Sequence, residues 1–471
     1  MRAHMIASCT VESTNMSTNA NHQHATHPDE HERAVALSRA AKASFIGNFI
    51  EWFDYASYGY LAVIIGRVFF PESESGLQTL SAFAVFAMSF ILRPVGAVVW
   101  GAWGDRWGRR WALSWSILIM SGSTFLIGIL PGFAAIGWWA AILLLLLRMV
   151  QGFSASGEYA GAGTFLAEYA PASKRGMYTS LVPASTATGL LAGSLMVSGM
   201  LVVMDDAAMQ SWGWRIPFLL AGPLGLIGRY IRVHLEDSPV YQAMVEELPS
   251  EPKSSNWAEP LRLLAYNHLG DVLITFGVSC LNAVAFYMLL SYMPTYVHEE
   301  LGFSQDTATM ATSIMLTVYI AAIFFMGHLS DSFGRRKMLI AACVAFIVLT
   351  VPLFYVMTHA AGMLWVVIAC QIVFALILTA NDGTLATFLA ESFPTNVRYS
   401  GFALSFNGAN ALLGGTTPLI VTWLIKVTGV TLVPAFYLTA VAIIAMIAIV
   451  KSRVIHGSEL TEAVGEGASD E

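Results

Sequence analysis

The chain has 471 residues, of which 56% are hydrophobic and only 12% are charged, and its mean hydropathy is +0.63. Soluble globular proteins carry about a quarter of their residues as Asp, Glu, Lys and Arg, so this composition excludes an ordinary soluble protein and predicts a surface that faces lipid. The net charge of -7 excludes a nucleic-acid surface, because binding a phosphate backbone requires clustered positive charge.

The first segment, residues 1–42, is polar, rich in His, Asn, Thr and Ser, and without apolar periodicity. It lacks the basic start, the apolar middle and the small-residue cleavage site of a secretory signal, so we expect a disordered tail that is not removed. The histidines are irregularly spaced and match no metal-ligand motif, so we expect no metal site there.

From residue 43 onward, long apolar segments alternate with short polar joints. Apolar runs of about 20 residues predict helices rather than the alternating strands of a barrel, because hydrocarbon leaves no water to satisfy backbone amides. The sequence therefore predicts an all-α polytopic membrane protein with twelve transmembrane helices. The predicted spans are 43–66, 77–101, 111–130, 138–167, 177–203, 214–233, 270–296, 307–329, 338–357, 363–390, 400–425 and 432–450.

The joints on the two sides of the predicted bundle differ in charge. With twelve spans both termini lie on one side, and most basic joint residues fall on that side, including Arg106, Arg109, Arg110, Arg335, Arg336 and Lys337. Opposite joints carry acidic pairs such as Asp205/Asp206 and Glu299/Glu300. The positive-inside rule then predicts a multi-pass protein of the cell (inner) membrane with both termini in the cytoplasm.

A polar segment separates the sixth and seventh spans. Residues 234–269 contain several prolines and are interpreted as a cytoplasmic linker. The linker separates an N-terminal six-helix bundle at 43–233 from a C-terminal six-helix bundle at 270–453. An acidic cytoplasmic tail follows at 454–471.

Two landmarks recur in the two bundles at almost the same separation. Asp105 follows the second span, and Asp331 follows the eighth. The pentapeptide Thr-Phe-Leu-Ala-Glu ends at Glu168 after the fourth span and again at Glu391 after the tenth, and this separation differs from the first by only a few positions. Two independent landmarks at nearly one offset indicate a duplication, with two pseudo-symmetric halves and a site near the bilayer midplane where they meet.

The joint at residues 101–110 has the pattern G-x-x-x-D-R-x-G-R-R and resembles the signature of the major facilitator superfamily, with a degenerate copy at residues 331–336. Other segments resemble the metabolite:proton symporter branch of that superfamily, and within it the proline/betaine:proton symporters. These segments are 47–55, 93–96, 151–159, 212–218, 236–239, 287–296, 393–400, 406–407 and 417–418. The resemblance extends over residues 43–453.

The resemblance implies a proton-coupled symporter that imports a small zwitterionic metabolite, such as proline or glycine betaine, by alternating access. The alternative is proton symport of a small carboxylate of the 2-oxoglutarate, shikimate or citrate type, which the same branch transports. We expect a monomer driven by the proton gradient, without a cofactor. The chain differs from the osmolyte transporters in its short acidic tail and in Asp382, where we expect a neutral residue.

An integral-membrane enzyme is the competing class of function. The sequence contains no HExxH, P-loop or GxSxG motif, so we expect neither hydrolytic chemistry nor ATP-driven transport.

A charged side chain at the centre of a bilayer costs at least ~2.5 kcal/mol, so each charged residue inside a predicted span is a functional candidate. Glu51 and Asp54 are three residues apart and share one helical face. Burial among aromatic rings favours the protonated form of a carboxylate, so Glu51, Asp54 and Glu158 are the candidate proton carriers. The alternative for Glu51 and Asp54 is that one of them anchors a neighbouring helix. The full set within spans is Glu51, Asp54, Arg93, Arg148, Glu158 and Asp382.

Arg148 is the candidate for the substrate carboxylate, because a guanidinium binds it bidentately and stays charged. Gln151 follows on the same helix, and Gln151 and Glu158, seven residues apart, project the same way. The alternative is a salt bridge from Arg148 to Glu51 or Asp54 that only closes the bundle. Asp382 is a candidate for binding the substrate ammonium or a proton. Ring faces attract ammonium cations, and the candidates are Tyr58, Tyr159, Phe286, Tyr287 and Tyr292.

By resemblance, the charged residues of the cytoplasmic joints form salt bridges between helices that hold the outward-open state and do not touch the substrate. Charges clustered at helix ends can make and break such contacts as a unit. The gating candidates are Asp105, Arg106, Arg109, Arg110, Glu168, Asp331, Arg335, Arg336, Glu391 and Arg398.

Overall fold

The computed structural model describes residues 30–70, 81–82, 84–85, 88–234, 238, 242, 259–359 and 362–452. Three predicted features fall wholly or largely outside this part: the tail up to residue 29, most of the linker at 234–269 and the acidic tail at 454–471. The part that is described is helical and contains no strand.

Twelve long helices make up the described chain, with a shorter helix at Glu259–Asn267 before the seventh. Ala62–Phe69 continues the first helix past Leu61. The twelve are α1 Glu30–Tyr60, α2 Arg93–Trp107, α3 Arg109–Ile129, α4 Trp138–Tyr169, α5 Ala172–Val203, α6 Asp206–Val233, α7 Leu269–Glu299, α8 Gln305–Phe333, α9 Arg335–His359, α10 Leu364–Glu391, α11 Arg398–Thr428 and α12 Val433–Lys451.

Ten helices within the described ranges, α3 to α12, are long and apolar enough to cross a membrane. α1 contains Glu51 and Asp54 among its apolar residues, and the chain just before α2 is described only in part. Large apolar side chains such as Val202 and Leu419 are exposed on the outside of the bundle, as expected for a surface that contacts lipid. The predicted all-α membrane architecture is confirmed.

The first helix begins at Glu30, within the segment expected to be a disordered tail. Leu37, Ala40 and Ala43 are spaced three residues apart and are all buried, at 6%, 0% and 2% exposure. This short apolar stripe lies on one face of a helix, and burying it stabilises the extension of α1 beyond the bilayer crossing.

Several helices are interrupted near their middle. α4 breaks at Ser156 and Gly157, and α7 and α11 each contain a π-helical turn, at Tyr287–Tyr292 and Asn410–Gly414. Such irregularities free backbone carbonyls, and π turns are frequent at functional sites.

We call α1–α6 the N half and α7–α12 the C half. The end of the bundle that carries Asp105 and Asp331 with their neighbouring arginines is called the basic end. The halves meet along α2 with α11 and along α5 with α8. Glycine permits the close approach: a Cβ on Gly101 would lie 2.7 Å from the Cα of Ser400, and one on Gly327 would lie 2.7 Å from the carbonyl oxygen of Gly176. Gly101 and Gly327 are separated by the same length of chain as Asp105 and Asp331, so the duplication predicted from sequence extends to this contact.

Candidate functional site

A small cavity lies between the two halves. Its walls combine aromatic rings with a few polar groups, and both halves contribute. The ring of Tyr159 stacks on Phe406 at a centroid distance of 4.1 Å, and Trp52 meets Phe286 edge-on at 4.9 Å. The lining residues are Trp52, Tyr159, Pro183, Thr186, Asn282, Phe286, Asp382, Phe406 and Asn410.

The irregular segments of the helices lie around this cavity. Tyr159 follows the break in α4, Phe286 precedes the π turn of α7, and Asn410 begins the π turn of α11. The carbonyl groups at the α4 break accept hydrogen bonds from the other half. Tyr399 Oη donates to Gly157 O at 2.5 Å, and this oxygen also accepts from the Gly161 backbone N–H at 2.9 Å. Asn407 Nδ2 donates to Ser156 O at 2.8 Å. These bonds across the interface stabilise the break, because buried carbonyl groups are costly to leave without a hydrogen-bond donor.

Asp382 is the carboxylate in the cavity wall, and it is 1% exposed. Its Oδ1 accepts hydrogen bonds from Asn282 Nδ2 at 2.6 Å and Asn381 Nδ2 at 3.0 Å, and its Oδ2 accepts one from Tyr319 Oη at 2.6 Å. All three donors are neutral. Within the described part of the chain, no Lys or Arg lies within 4.0 Å of this carboxylate.

Glu51, a predicted proton carrier, forms a salt bridge with Arg93 of α2, with 2.8 Å between Nη2 and Oε1. The Arg93 guanidinium lies over the rings of Phe90 and Tyr55, at 4.7 Å and 5.0 Å from their centroids. The pair is fully buried and ties α1 to α2.

Asp54, the second predicted carrier, is paired with Arg148 of α4 at 2.8 Å. Gln151 Nε2 also donates to Asp54 Oδ2, and Arg148 lies 3.9 Å from the centroid of Tyr58. Arg148 and Gln151 are therefore absent from the described cavity wall. In this conformation Arg148 forms the salt bridge that the sequence left open as its alternative.

Glu158, the third predicted carrier, is bonded to Arg232 of α6. Arg232 Nη1 donates to Glu158 Oε2 at 2.9 Å, Nη2 donates to Oε1, and Ser116 Oγ donates to Oε2 at 3.3 Å. The expectation that Gln151 and Glu158 project the same way assumed a continuous helix. The break at Ser156 and Gly157 separates them, so Tyr159 rather than Glu158 lines the cavity.

The predicted aromatic residues occupy different places. Tyr159 and Phe286 line the cavity, and Tyr287 packs beside it against Trp52 and Phe90. Tyr58 donates to Ala82 O at 3.0 Å beneath Arg148. Tyr292 accepts from Thr422 Oγ1 at 3.2 Å, away from the lining residues.

Sequence reasoning missed some lining residues as site candidates, although two of them stand inside quoted motifs. Trp52 follows Glu51 directly, and Phe406 belongs to the Phe-Asn pair of α11. The neutral residues Asn282 and Asn410 carried no charge signal inside their spans.

At the basic end, each half supplies an aspartate that caps a helix of the other half. Asp105 accepts from the backbone N–H groups of Tyr399 and Ser400 at 3.1 Å and 2.8 Å. Asp331 accepts from those of Gly176 and Met177 at 2.8 Å and 2.9 Å. Anions are stabilised at helix N-termini by the exposed N–H groups and the helix dipole.

Two buried glutamates complete the contact between the halves. Glu168 accepts from Arg398 of the C half at 2.9 Å, from Arg109 of its own half at 3.3 Å and from Ser238. Glu391 pairs with Arg175 of the N half at 2.7 Å and lies 3.5 Å from Arg335 of its own half.

Arg175 was missed by sequence reasoning. It precedes Arg398 by the same length of chain that separates Glu168 from Glu391, so the repeat offset applied to the gating residues would have found it.

The remaining gating candidates lie nearer the surface. Arg106 stands over the ring of Trp107 at 5.8 Å, Arg110 is exposed, and Arg336 Nη2 donates to Val450 O at 2.5 Å. The last contact holds the end of α12 beside the joint between α8 and α9.

Comparison with known proteins identifies both halves. Residues 40–255 match the family Sugar (and other) transporter, and residues 275–462 match the Major Facilitator Superfamily. The chain is 39% identical over 417 residues to a glycine betaine/proline/ectoine/pipecolic acid transporter of Dickeya dadantii, and 37% identical to a proline/betaine transporter of Escherichia coli K12. Each alignment covers 87% of this chain and 82% of the relative.

Solved structures show the same fold at low sequence identity. A proton:xylose symporter bound to 6-bromo-6-deoxy-D-glucose superposes with a TM-score of 0.73 at 17% identity, over 89% of this chain and 95% of that one. A partially occluded inward-open xylose transporter from E. coli gives 0.65 at 16% identity, over 88% and 97%. The predicted arrangement of twelve helices in two six-helix bundles is confirmed.

Proposed function

The chain belongs to the major facilitator superfamily of membrane transporters, and we propose that it is a proton-coupled symporter importing a small zwitterionic metabolite such as proline or glycine betaine. The central cavity carries the proposal. Its walls present aromatic rings and one buried carboxylate, which suit a compact ammonium group. The relatives that are 37–39% identical to this chain over 417 aligned residues are named as transporters of such compounds.

We assign the proton coupling to Glu51 and Asp54. Each is buried in an arginine pair within the N half. Both arginines lie beside the ring of Tyr55, which packs against Trp52 of the cavity wall. A proton that neutralises either carboxylate releases the partner arginine for other contacts, and such a change can bias the packing of α1 against its neighbours. Glu158, which the sequence grouped with them, is bonded to Arg232 and holds α4 against α6 in the proposed mechanism.

We assign the gate to the contacts at the basic end. The positive-inside rule puts this end in the cytoplasm, and with it both termini, in a protein of the cell (inner) membrane. The capped helices and the crossing ion pairs then close the cytoplasmic side, so the substrate enters from outside. Both bundles that form the cavity belong to one chain, which supports a monomer as the transporting unit.

Purified protein in liposomes tests the proposal directly. Labelled proline and glycine betaine are expected to accumulate when the outside is more acidic than the inside, and a protonophore should abolish the accumulation. A 2-oxo-dicarboxylate should not accumulate under the same gradient. Accumulation of the dicarboxylate instead, or dependence on a sodium gradient, would replace the proposal.

A further inference from the structure

We infer that Asp382 binds the positively charged nitrogen of the substrate and thereby makes a cationic head group the main requirement for recognition. The inference rests on the proposed function and deepens it, because it names the group that selects the substrate. It also places the cation site on the C half, away from the arginine pairs of α1.

The first observation is the balance of charge around the cavity. Glu51, Asp54 and Glu158 each have an arginine partner within 2.9 Å. Asp382 has only amide and hydroxyl donors, which distinguishes it from every other intramembrane carboxylate in the described chain. An ionised carboxylate buried without a counterion is strongly disfavoured, so this group either takes up a proton or pairs with a positive charge supplied by a ligand.

The second observation is the position of Asp382. It stands nine residues before Glu391 on α10, which places it about 14 Å from the charged contacts of the basic end. Trp52 and Tyr159 of the N half and Phe286 and Phe406 of the C half share the cavity with it. Ring faces stabilise a cation without competing for the carboxylate, so an ammonium group beside Asp382 is held by both.

The third observation concerns the capacity of the carboxylate. Two carboxylate oxygens accept about four hydrogen bonds, and the three donors on Asp382 leave room for one more. The titratable side chains that face it are Tyr319 of α8, which donates to it, and Tyr159 of α4. Asn282 of α7, Asn410 and Phe406 of α11 and Trp52 of α1 complete the surroundings without adding a charge.

A ligand series that separates charge from shape tests the inference. Glycine betaine carries an ammonium and a carboxylate, choline carries the ammonium alone, and 3,3-dimethylbutanoate is the carbon analogue of betaine with the carboxylate alone. Binding of each to the purified full chain is measured by calorimetry for the wild type and for Asp382→Asn. Asp306→Asn is the control for loss of one negative charge, because Asp306 is exposed at the start of α8 and does not line the cavity.

The wild type is expected to prefer glycine betaine over 3,3-dimethylbutanoate and to bind choline. In Asp382→Asn this preference should fall roughly tenfold to hundredfold, the size of one hydrogen-bonded contact to a charged group, whereas Asp306→Asn should keep it. Asp382→Ser is a second neutral variant, and either neutral variant that retains the wild-type melting temperature decides the result.

Two results would overturn the inference. A preference for the cation that both neutral variants retain would place the cation site elsewhere and leave the proposed function intact. A wild type that prefers 3,3-dimethylbutanoate would exclude a cation site altogether. If the wild type binds choline through Asp382 but liposomes accumulate neither proline nor betaine, the inference stands and the proposed substrate is wrong.

Discussion

Asp105 on α2 and Ser400 on α11 are bonded twice across the interface between the halves. The Oδ2 atom of Asp105 accepts from the Ser400 backbone N–H at 2.8 Å and from its hydroxyl at 2.6 Å. The same carboxylate therefore caps the first turn of α11 and holds the Ser400 side chain in place. Separating the halves at the basic end requires these bonds to break.

Replacing Asp105 with Asn should weaken closure of the basic end. The amide keeps the shape but loses the charge that favours the helix N-terminus, an effect of about 1 kcal/mol or roughly a fivefold change in population. A cysteine introduced near the basic end should therefore react faster with a thiol reagent. Asp331→Asn, at the equivalent position in the C half, should have a similar effect, and an unchanged reaction rate in both would contradict the role assigned to the caps.

Replacing Gly101 with Ala should reduce uptake. The new Cβ would lie 2.7 Å from the Cα of Ser400, a backbone atom, so α2 and α11 must move apart before the basic end can close. Gly122→Ala is the control, because a Cβ there meets nothing within 4 Å. If Gly101→Ala transports at the wild-type rate with an equal amount of folded protein, the close contact between α2 and α11 is not needed for transport.

Neutralising Glu391 alone should destabilise the protein more than neutralising both Glu391 and its partner Arg175. Glu391→Gln leaves Arg175 buried with a lost partner, and breaking a buried pair on one side costs about 3–5 kcal/mol. The double variant Arg175→Gln/Glu391→Gln should melt at a higher temperature than Glu391→Gln alone. Arg175→Gln alone completes the comparison, and losses in the two single variants that add up to the loss in the double variant would mean that the two residues do not interact.

Neutralising Glu51 should uncouple transport from the proton gradient. With one proton per substrate, one pH unit supports about a tenfold accumulation, which the wild type should approach and Glu51→Gln should not. The variant should still exchange labelled for unlabelled substrate across the liposome, because exchange needs no net proton movement. Asp306→Asn, an exposed acid at the start of α8, controls for loss of charge. If Glu51→Gln accumulates substrate normally while Asp54→Asn does not, the coupling belongs to Asp54.

The features that sequence predicted well depend on local patterns. Apolar runs locate the helices, and the two nearly equal offsets relate Glu168 to Glu391 and Asp105 to Asp331 in space as well as in sequence. The break in α4 was missed because it is stabilised by hydrogen bonds from Tyr399 and Asn407, which are distant in the chain and belong to the other half. A tertiary contact of that kind leaves no periodic signal.

The candidate site shows the same difference between local sequence patterns and tertiary contacts. Charge inside a span singled out Asp382 as a candidate, because a buried acid is costly wherever it occurs, and the structure places Asp382 in the cavity wall. Charge alone could not show that Arg148 turns toward Asp54, since the direction of a side chain depends on the packing of α1 against α4. Neutral lining residues such as Asn282 and Asn410 differ from ordinary core residues only by their position between the halves.

The contacts at the basic end divide evenly between the halves. Asp105, Arg109, Glu168 and Arg175 belong to the N half, and Asp331, Arg335, Glu391 and Arg398 belong to the C half. When ionised, the four buried groups of each set sum to zero, so neither set carries a net charge when the two sets separate. The attraction between them falls off steeply with distance, and a small displacement is enough to release it. Duplication of one half thus yields interface contacts that are strong when the basic end is closed and weak once the halves have begun to separate.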